Sequence, residues 1–140
     1  MSVFTPVPES VLADWLKDYA IGRLVELEGI SAGVQNSNFF VTTTLGRYVL
    51  TLFEGIPRAE LPYYLHLMAH LSRHGLPVPG PIANRHNEYL GTLQERPAAL
   101  VVRLSGRSEM SPGLAHCGRV GAMLAGLHLA GQSYGRRQEN

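Results

Sequence analysis

Residues 29–54 constrain the fold of this 140-residue chain more than any other segment does. Gly29 and Gly33 bracket a loop with the sequence GISAGVQNSN, and two segments rich in β-branched and aromatic residues follow it, NFFVTTT (38–44) and RYVLTLFE (47–54). Such segments are typical of strands. Because only two residues separate them, they must pair in antiparallel fashion rather than through a crossover.

The rest of the chain predicts three helices, a further strand and a second hairpin. Apolar residues recur at helical spacing in the helices, and proline and glycine mark where they begin and end. The sequence therefore predicts an α+β fold. Its expected elements are helices at 9–20, 58–74 and about 112–130, the last capped by Ser111-Pro112, a strand at 23–30, and a hairpin made by 88–93 and 97–104.

Composition excludes several classes of protein. Hydrophobic residues make up 45% of the chain and charged residues 16%, which are values of a globular domain. The formal net charge of +1 gives no electrostatic reason for a nucleic-acid partner. No apolar run approaches the length of about 18 residues that a membrane span needs. A single cysteine, Cys117, fits a cytoplasmic protein in a reducing environment, and we expect it to be a small buried thiol.

The glycine loop is the first candidate site. Without side chains at Gly29 and Gly33, backbone N–H groups can approach phosphate oxygens, and Ser31, Asn36 and Asn38 can add donors. The alternative is a plain hairpin turn that binds nothing, because glycine-rich turns are common.

Three histidines recur every fourth residue in the helix predicted at 58–74, namely His66, His70 and His74. Pairs with this spacing can bind zinc. On a helical wheel, however, they lie opposite the apolar face formed by Tyr64, Leu65, Met68 and Leu71. The sequence therefore favours a solvated helix face over a metal site.

The motifs together resemble a known family. The glycine loop with Asn36, the GLPVP after the second helix (75–79) and the LAGLH of the last helix (124–128) are similar to the aminoglycoside-phosphotransferase-like superfamily, which has a protein-kinase-like fold. Within it the chain looks most like the bacterial homoserine kinases, because the VLTLFE strand (49–54) lacks the usual lysine. The resemblance runs from Met1 to Asn140. It implies a kinase-like N-terminal lobe at 1–104, followed by the first helix of the helical lobe at 105–140.

The resemblance also implies roles for residues of the sheet. Val49 would pack on adenine, and Thr51 occupies the position of the phosphate-binding lysine. Glu60 lies where the family places the carboxylate that orients this lysine, although a role in stabilising the helix N-terminus is an equal alternative. Backbone groups of Val101, Val102 and Arg103 would contact the adenine edge.

The activity implied by the resemblance is transfer of the γ-phosphoryl group of ATP, with magnesium, to the hydroxyl of L-homoserine. Members of the family are roughly twice as long as this chain, and their catalytic and magnesium-binding carboxylates follow the last helix seen here. We therefore expect no catalytic residue and no metal ligand within the chain, and we expect the chain alone to be inactive.

Three alternatives remain open. The acceptor could instead be choline, a sugar or an aminoglycoside, because the missing lobe selects it. The chain could also be a non-catalytic lobe that binds a nucleotide or a protein, or an inactive fragment. In each case the apolar stripe of the last helix lacks a covering segment, which predicts self-association through residues 112–130.

Overall fold

The computed structural model describes residues 5–137. Every element expected from the sequence is present, and the α+β fold class is confirmed; the outer ends of the two predicted lobes, residues 1–4 and 138–140, lie outside the described residues. The elements in chain order are helix α1 (Glu9–Trp15), a 3₁₀ turn (Leu16–Asp18), strands β1 (Leu24–Gly29), β2 (Ser37–Thr43) and β3 (Arg47–Leu52), helix α2 (Leu61–Arg73), strands β4 (Gly91–Leu93) and β5 (Arg96–Val102), and helix α3 (Leu114–Gly131).

All five strands form one antiparallel sheet with the order β1-β2-β3-β5-β4. The predicted meander and the second hairpin are both confirmed. The pairing of β3 with β5 could not be read from the sequence; it sets Val49 opposite Val101 and Thr51 opposite Ala99. The segments predicted to hold adenine are therefore direct neighbours in the sheet.

Side chains alternate between the two faces of the sheet. On β2, Phe39 and Val41 are buried while Asn38 and Phe40 are partly exposed. Strand β3 repeats this pattern with Leu50 and Leu52 buried. Because successive strand residues point to opposite faces, one face of the sheet forms the core and the other stays open to a ligand.

Helix α1 closes the core face, but it is shorter than the predicted helix at 9–20. It ends at Trp15 and gives way to the 3₁₀ turn, in which the Tyr19 N–H donates to Leu16 O at 3.0 Å. A 3₁₀ turn brings residues three apart onto one side, so Leu16 and Tyr19 are both buried. Burial and the nearby Asp18 carboxylate raise the pKa of Tyr19 to about 12.

Helix α2 buries Leu61, Leu65 and Ala69, and the prediction that Tyr64 belongs to the buried face is wrong, since it is 39% exposed. The prediction of a solvated histidine face is also wrong, because His66 and His70 are half-buried. Only His74 is exposed as expected.

The histidines are covered because α2 has neighbours on two further sides. The His66 ring lies 5.0 Å from the ring of Tyr89, measured between centroids. The His70 Nε2–H donates to Ala130 O at 2.8 Å, and its ring lies 5.4 Å from that of Tyr134. Wheel geometry alone could not reveal these contacts, because all three partners are distant in sequence.

The N-cap of helix α3 lies two residues later than the predicted cap, Ser111. Gly113 is the N-cap, and its N–H donates to His116 Nδ1 at 3.0 Å. Ser111 does not cap the helix, since its N–H donates to the Glu109 carboxylate at 2.9 Å within the preceding turn. Like the other helices of residues 5–137, α3 is not both long and apolar enough to cross a membrane.

The two ends of α3 differ in how they pack. Its last turns dock on α2 through His70, and the Tyr134 hydroxyl just beyond it donates to Tyr63 O at 2.6 Å. The first turns are open, with Leu114 exposed by 92% and Val120 by 59%. Cys117 is exposed as well, so the prediction of a buried thiol is wrong. No described element packs on this part of the helix.

Candidate nucleotide site

Four of the predicted site residues meet in a cleft on the open face of the sheet, where β3 begins and β5 ends beside the segment that follows β5. The cleft has a volume of about 550 Å³. The predicted residues Val49, Val101, Val102 and Arg103 line it together with Phe40, Arg47, Pro79 and the segment Leu104, Ser105 and Gly106.

Sequence reasoning missed Phe40, which forms one wall of this cleft. Phe40 lies directly opposite Val49 in the β2–β3 pairing, and the guanidinium of Arg103 lies 3.7 Å from the centre of its ring. This distance is that of a cation–π contact. The alternation along β2, which puts Phe40 on the same face as Asn38, was the signal that could have found it. Apolar walls with a fixed cation at the rim suit a planar, electron-rich ring.

Two backbone amides at the end of β5 already donate hydrogen bonds within the protein. The Val102 N–H donates to Gly80 O at 3.0 Å, and the Arg103 N–H donates to Arg47 O at 3.2 Å. Neither amide can therefore also donate to a ligand without breaking a bond of the sheet. Of the predicted backbone contacts with adenine at 101–103, those that would use the amides of Val102 and Arg103 therefore compete with bonds of the fold.

The glycine loop joins β1 to β2, as predicted. Gly29 is the last residue of β1, and Ser31 and Gly33 are exposed in the loop. Gly33 has a φ of +113°, a conformation that side chains with a Cβ rarely adopt, so this position requires glycine for backbone reasons. A Cβ added there would lie 3.5 Å from Nδ2 of Asn38.

Thr51 is bonded to Asn38 across the sheet. The Thr51 hydroxyl donates to Asn38 Oδ1 at 2.8 Å, and the Asn38 amide donates in turn to Asn36 O at 3.4 Å. Three predicted site residues thus form one hydrogen-bonded chain that reaches the glycine loop. The position where a lysine is usual carries no charge and instead links β3 to β2.

The predicted residues do not all line one cavity. Asn36 borders a separate small cavity of about 280 Å³ with Gln35, Gly55 and Ile56. Ser31, Gly33 and Asn36 are absent from the lining of the cleft around Val49. The structure thus has two groups of candidate residues: the cleft at one end of β3 and the loop network at the other.

Other predicted features stay apart from both groups. Glu60 is the exposed N-cap of α2 and makes no side-chain capping bond. Within residues 5–137 no three His, Cys, Asp or Glu side chains come close enough together to hold a metal ion. Burial, together with the positive charges of Arg136 and Arg73, lowers the pKa of His66.

Two further cavities contain none of the residues predicted for the nucleotide site. One, of about 760 Å³, lies where α1 and the 3₁₀ turn meet the start of β1. The other, of about 400 Å³, lies between the start of α2 and the loop that contains Tyr89. Their position away from the glycine loop and the cleft leaves the sheet face as the candidate site.

A model of one enzyme family matches most of this fold. The family is described as the phosphotransferase enzyme family, and the match covers residues 26–139, which include the glycine loop, the cleft and α3. The chain belongs to this phosphotransferase family. This family agrees with the resemblance inferred from the sequence motifs.

Curated relatives carry a more specific name. The chain is 52% identical over all 140 residues to a homoserine kinase of Burkholderia multivorans and 51% identical over the same length to one of Paraburkholderia xenovorans. In both comparisons the match covers 100% of this chain and 42% of the relative. The chain therefore spans less than half the length of these relatives.

Solved structures confirm the kinase-like fold at low identity. A spectinomycin phosphotransferase in complex with ADP and spectinomycin superposes with a TM-score of 0.71 at 14% identity, over 90% of this chain and 39% of that one. An amicoumacin kinase with AMP-PNP and Ca²⁺ gives 0.72 at 14%, over 94% and 42%. A microcompartment-associated aminopropanol kinase gives 0.69 at 18%, over 91% and 42%.

Proposed function

We propose that this chain is the nucleotide-binding part of a kinase that transfers the γ-phosphoryl group of ATP to the hydroxyl of L-homoserine. The observation that carries the proposal is the identity of about one half, over all 140 residues, to curated homoserine kinases. The cytosol is the location we propose with it, on the strength of the single cysteine.

The site supports a nucleotide role in two ways. The cleft around Val49, Phe40 and Arg103 offers apolar walls and a cationic rim for the adenine ring. The loop around Gly33 offers backbone N–H groups to the phosphates, because no side chain shields them. In this proposal the chain's residues bind and orient ATP, which is a large part of what phosphoryl transfer requires.

The remaining chemistry is assigned to residues other than these. Related structures contain ADP, or AMP-PNP with Ca²⁺, and we extend a nucleotide with a divalent cation, magnesium, to this protein. We also propose, as the family resemblance implies, that the ligands of that cation and the groups that act on homoserine lie outside this chain. We divide the chain at 104/105, between the end of β5 at Val102 and the start of α3 at Leu114.

The acceptor has competing assignments. Kinases for spectinomycin and for aminopropanol share this fold at 14–18% identity, so the fold itself does not select homoserine over an aminoglycoside, choline or a sugar. A lobe that binds a nucleotide without catalysis is the other class. The 52% identity to a named homoserine kinase favours that acceptor.

A chimera tests the function directly. This chain would replace the 140 matching residues of the B. multivorans enzyme, and ATP-dependent phosphorylation of homoserine would be assayed. We expect activity of the chimera, and no product from the 140-residue chain alone. Because the B. multivorans part selects the acceptor, the assay tests whether this chain supplies the nucleotide-binding part of a homoserine kinase. A folded chimera that is inactive, while the B. multivorans enzyme is active in the same assay, would contradict the proposal.

The same chimera tests the glycine loop. Gly33→Val places a branched side chain at a φ of +113° beside Asn38, so we expect kcat/KM for ATP to fall about a hundredfold through misplaced phosphates. Val34→Ala is the matched control, because Val34 is the next residue and is 85% exposed. Equal activity of the two variants would reduce Gly33 to an ordinary turn residue.

We also propose that the isolated chain associates through residues 112–130. Val120 is 59% exposed and Leu124, near the middle of α3, is 48% exposed, and such apolar surface drives association in water. Light scattering at tens of micromolar should show dimers or larger species that decrease in Val120→Gln/Leu124→Gln. Leu45→Gln, at a leucine that is 71% exposed in the β2–β3 turn, should not change them. A monomeric parent chain would refute this expectation.

A further inference from the structure

Glu54, which follows β3, is the most heavily bonded carboxylate of the described chain. Its Oε1 accepts hydrogen bonds from the hydroxyls of Thr5 and Ser37, each at 2.7 Å, and its Oε2 lies 3.1 Å from Nε of Arg96. The side chain is only 14% exposed. In the sequence it stands out only as the last residue of the VLTLFE segment.

Four segments of the chain meet at this carboxylate. Thr5 precedes α1, Ser37 opens β2, and Arg96 opens β5. Ser37 is fully buried, and its Oγ also accepts the N–H of Thr5 at 3.0 Å, which closes a ring of bonds around Oε1. Because charge-assisted bonds are stronger than neutral ones, this arrangement fixes the start of β2 more firmly than the sheet pairing alone.

The backbone of Glu54 extends the arrangement to the glycine loop. Its N–H donates to Asn36 Oδ1 at 3.3 Å, and Asn36 is the last residue of that loop. Asn36 O accepts from the Asn38 amide, which is bonded to Thr51. The loop is therefore attached at its β2 end to Glu54 through both Asn36 and Ser37.

We infer that Glu54 is a positioning residue, which holds the β2 end of the glycine loop in the geometry needed for the phosphates. The inference rests on the proposed nucleotide function. Glu54 touches neither the cleft nor the loop glycines, so it acts through Asn36 and Ser37. In this chain Glu54 orders the β2 end of the glycine loop, at a site where the uncharged Thr51 replaces the usual strand lysine.

The ionic state of Glu54 agrees with this role. Burial alone would raise the pKa of its carboxyl group, but hydrogen bonds from Ser37 and Thr5 and the charge of Arg96 outweigh burial, and its pKa lies below the usual value. The carboxylate is therefore charged at neutral pH and accepts from both hydroxyls.

The test compares Glu54→Ala, Glu54→Gln and Leu16→Ala in this 140-residue chain. Gln keeps an oxygen that can accept from Thr5 and Ser37, while Ala keeps none. Leu16 lies in the 3₁₀ turn after α1 and is only 2% exposed, so its truncation is a destabilised control. The first readout is amide hydrogen exchange of residues 30–38 without ligand, where the Ile30 N–H donates to Asn38 O at 2.9 Å. The second is the Kd for ADP with magnesium.

We expect Glu54→Ala to speed exchange at 30–38 about tenfold beyond the change in α2 and to raise the Kd about tenfold, from the loss of charge-assisted bonds. Glu54→Gln should recover only part of both losses, because it keeps an acceptor for Thr5 and Ser37 but loses the charge and the pair with Arg96. Leu16→Ala should speed exchange at 30–38 less than Glu54→Ala does. The inference is overturned if the exchange rate at residues 30–38 is the same in Glu54→Ala as in Leu16→Ala. It is also overturned if Glu54→Ala speeds this exchange but leaves the Kd for ADP unchanged. If the parent chain does not bind ADP, the nucleotide proposal for this chain fails, while exchange still decides whether Glu54 orders the loop.

Discussion

Gly22→Ala is expected to lower the free energy of unfolding by about 3 kcal/mol or more, from backbone strain combined with a steric clash. Gly22 has a φ of +85°, and an added Cβ would lie 2.2 Å from the Thr44 hydroxyl oxygen. That hydroxyl cannot move without loss, because it accepts the N–H of Arg23 at 3.1 Å. The substitution therefore pushes the turn between β2 and β3 away from the start of β1.

Two other glycines separate strain from clash. Gly75 has a φ of +80° but no described atom within 4 Å of an added Cβ, so Gly75→Ala should cost about 1 kcal/mol from strain alone. Gly55 has neither feature, and Gly55→Ala should change stability by less than about 0.5 kcal/mol. Urea unfolding of the three variants measures these values. If Gly22→Ala and Gly75→Ala cost the same, the close approach of Thr44 contributes nothing.

Leu12→Ala is expected to cost about 2–5 kcal/mol, which is the usual range for emptying a leucine site in a core. Leu12 is fully buried in α1 and belongs to the same apolar cluster as Leu50 and Leu100 of the sheet. Helix α1 lies before residue 26, where the family match begins. The variant therefore tests whether this N-terminal segment is a structural part of the lobe.

The control is the residue that precedes it. Val11 is on the same helix and is 37% exposed, so Val11→Ala removes less buried surface and favours the helix slightly. Thermal unfolding of both variants should give a large decrease in Tm for Leu12→Ala and almost none for Val11→Ala. Equal, small shifts would mean that α1 is only loosely attached to the sheet.

The strands were accessible to sequence reasoning for a physical reason, whereas the roles of the cleft residues Val49, Val101, Val102 and Arg103 were implied by the family resemblance alone. In β2 and β3 only one face is buried, so buried apolar residues recur at every second position, as Phe39 and Val41 do in β2 and Leu50 and Leu52 in β3. This pattern can be recognised in the sequence. The same alternation fixed which side Val49 and Thr51 occupy. Local periodicity is enough whenever the environment of a strand repeats every second residue.

Contacts between distant segments were not accessible in this way. The 3₁₀ turn after α1 depends on the packing of Tyr19 in the core cluster with the sheet. The burial of His70 depends on Ala130, which lies sixty residues further along the chain. Glu54 was overlooked for the same reason, since its partners Thr5 and Arg96 lie far from it in sequence. Residues whose role comes from such long-range contacts produce no periodic pattern in the sequence.

Because α3 packs unevenly, its first turns and the sheet are expected to unfold at different temperatures. Its last turns are bonded to α2 through His70 and Tyr134, whereas its first turns expose Leu114 and Val120. Local opening follows the number of buried contacts, so the first turns of α3 open at far lower free energy than the sheet. A melting curve followed by helix signal then begins below one followed by the tryptophan at position 15, and no single Tm describes both.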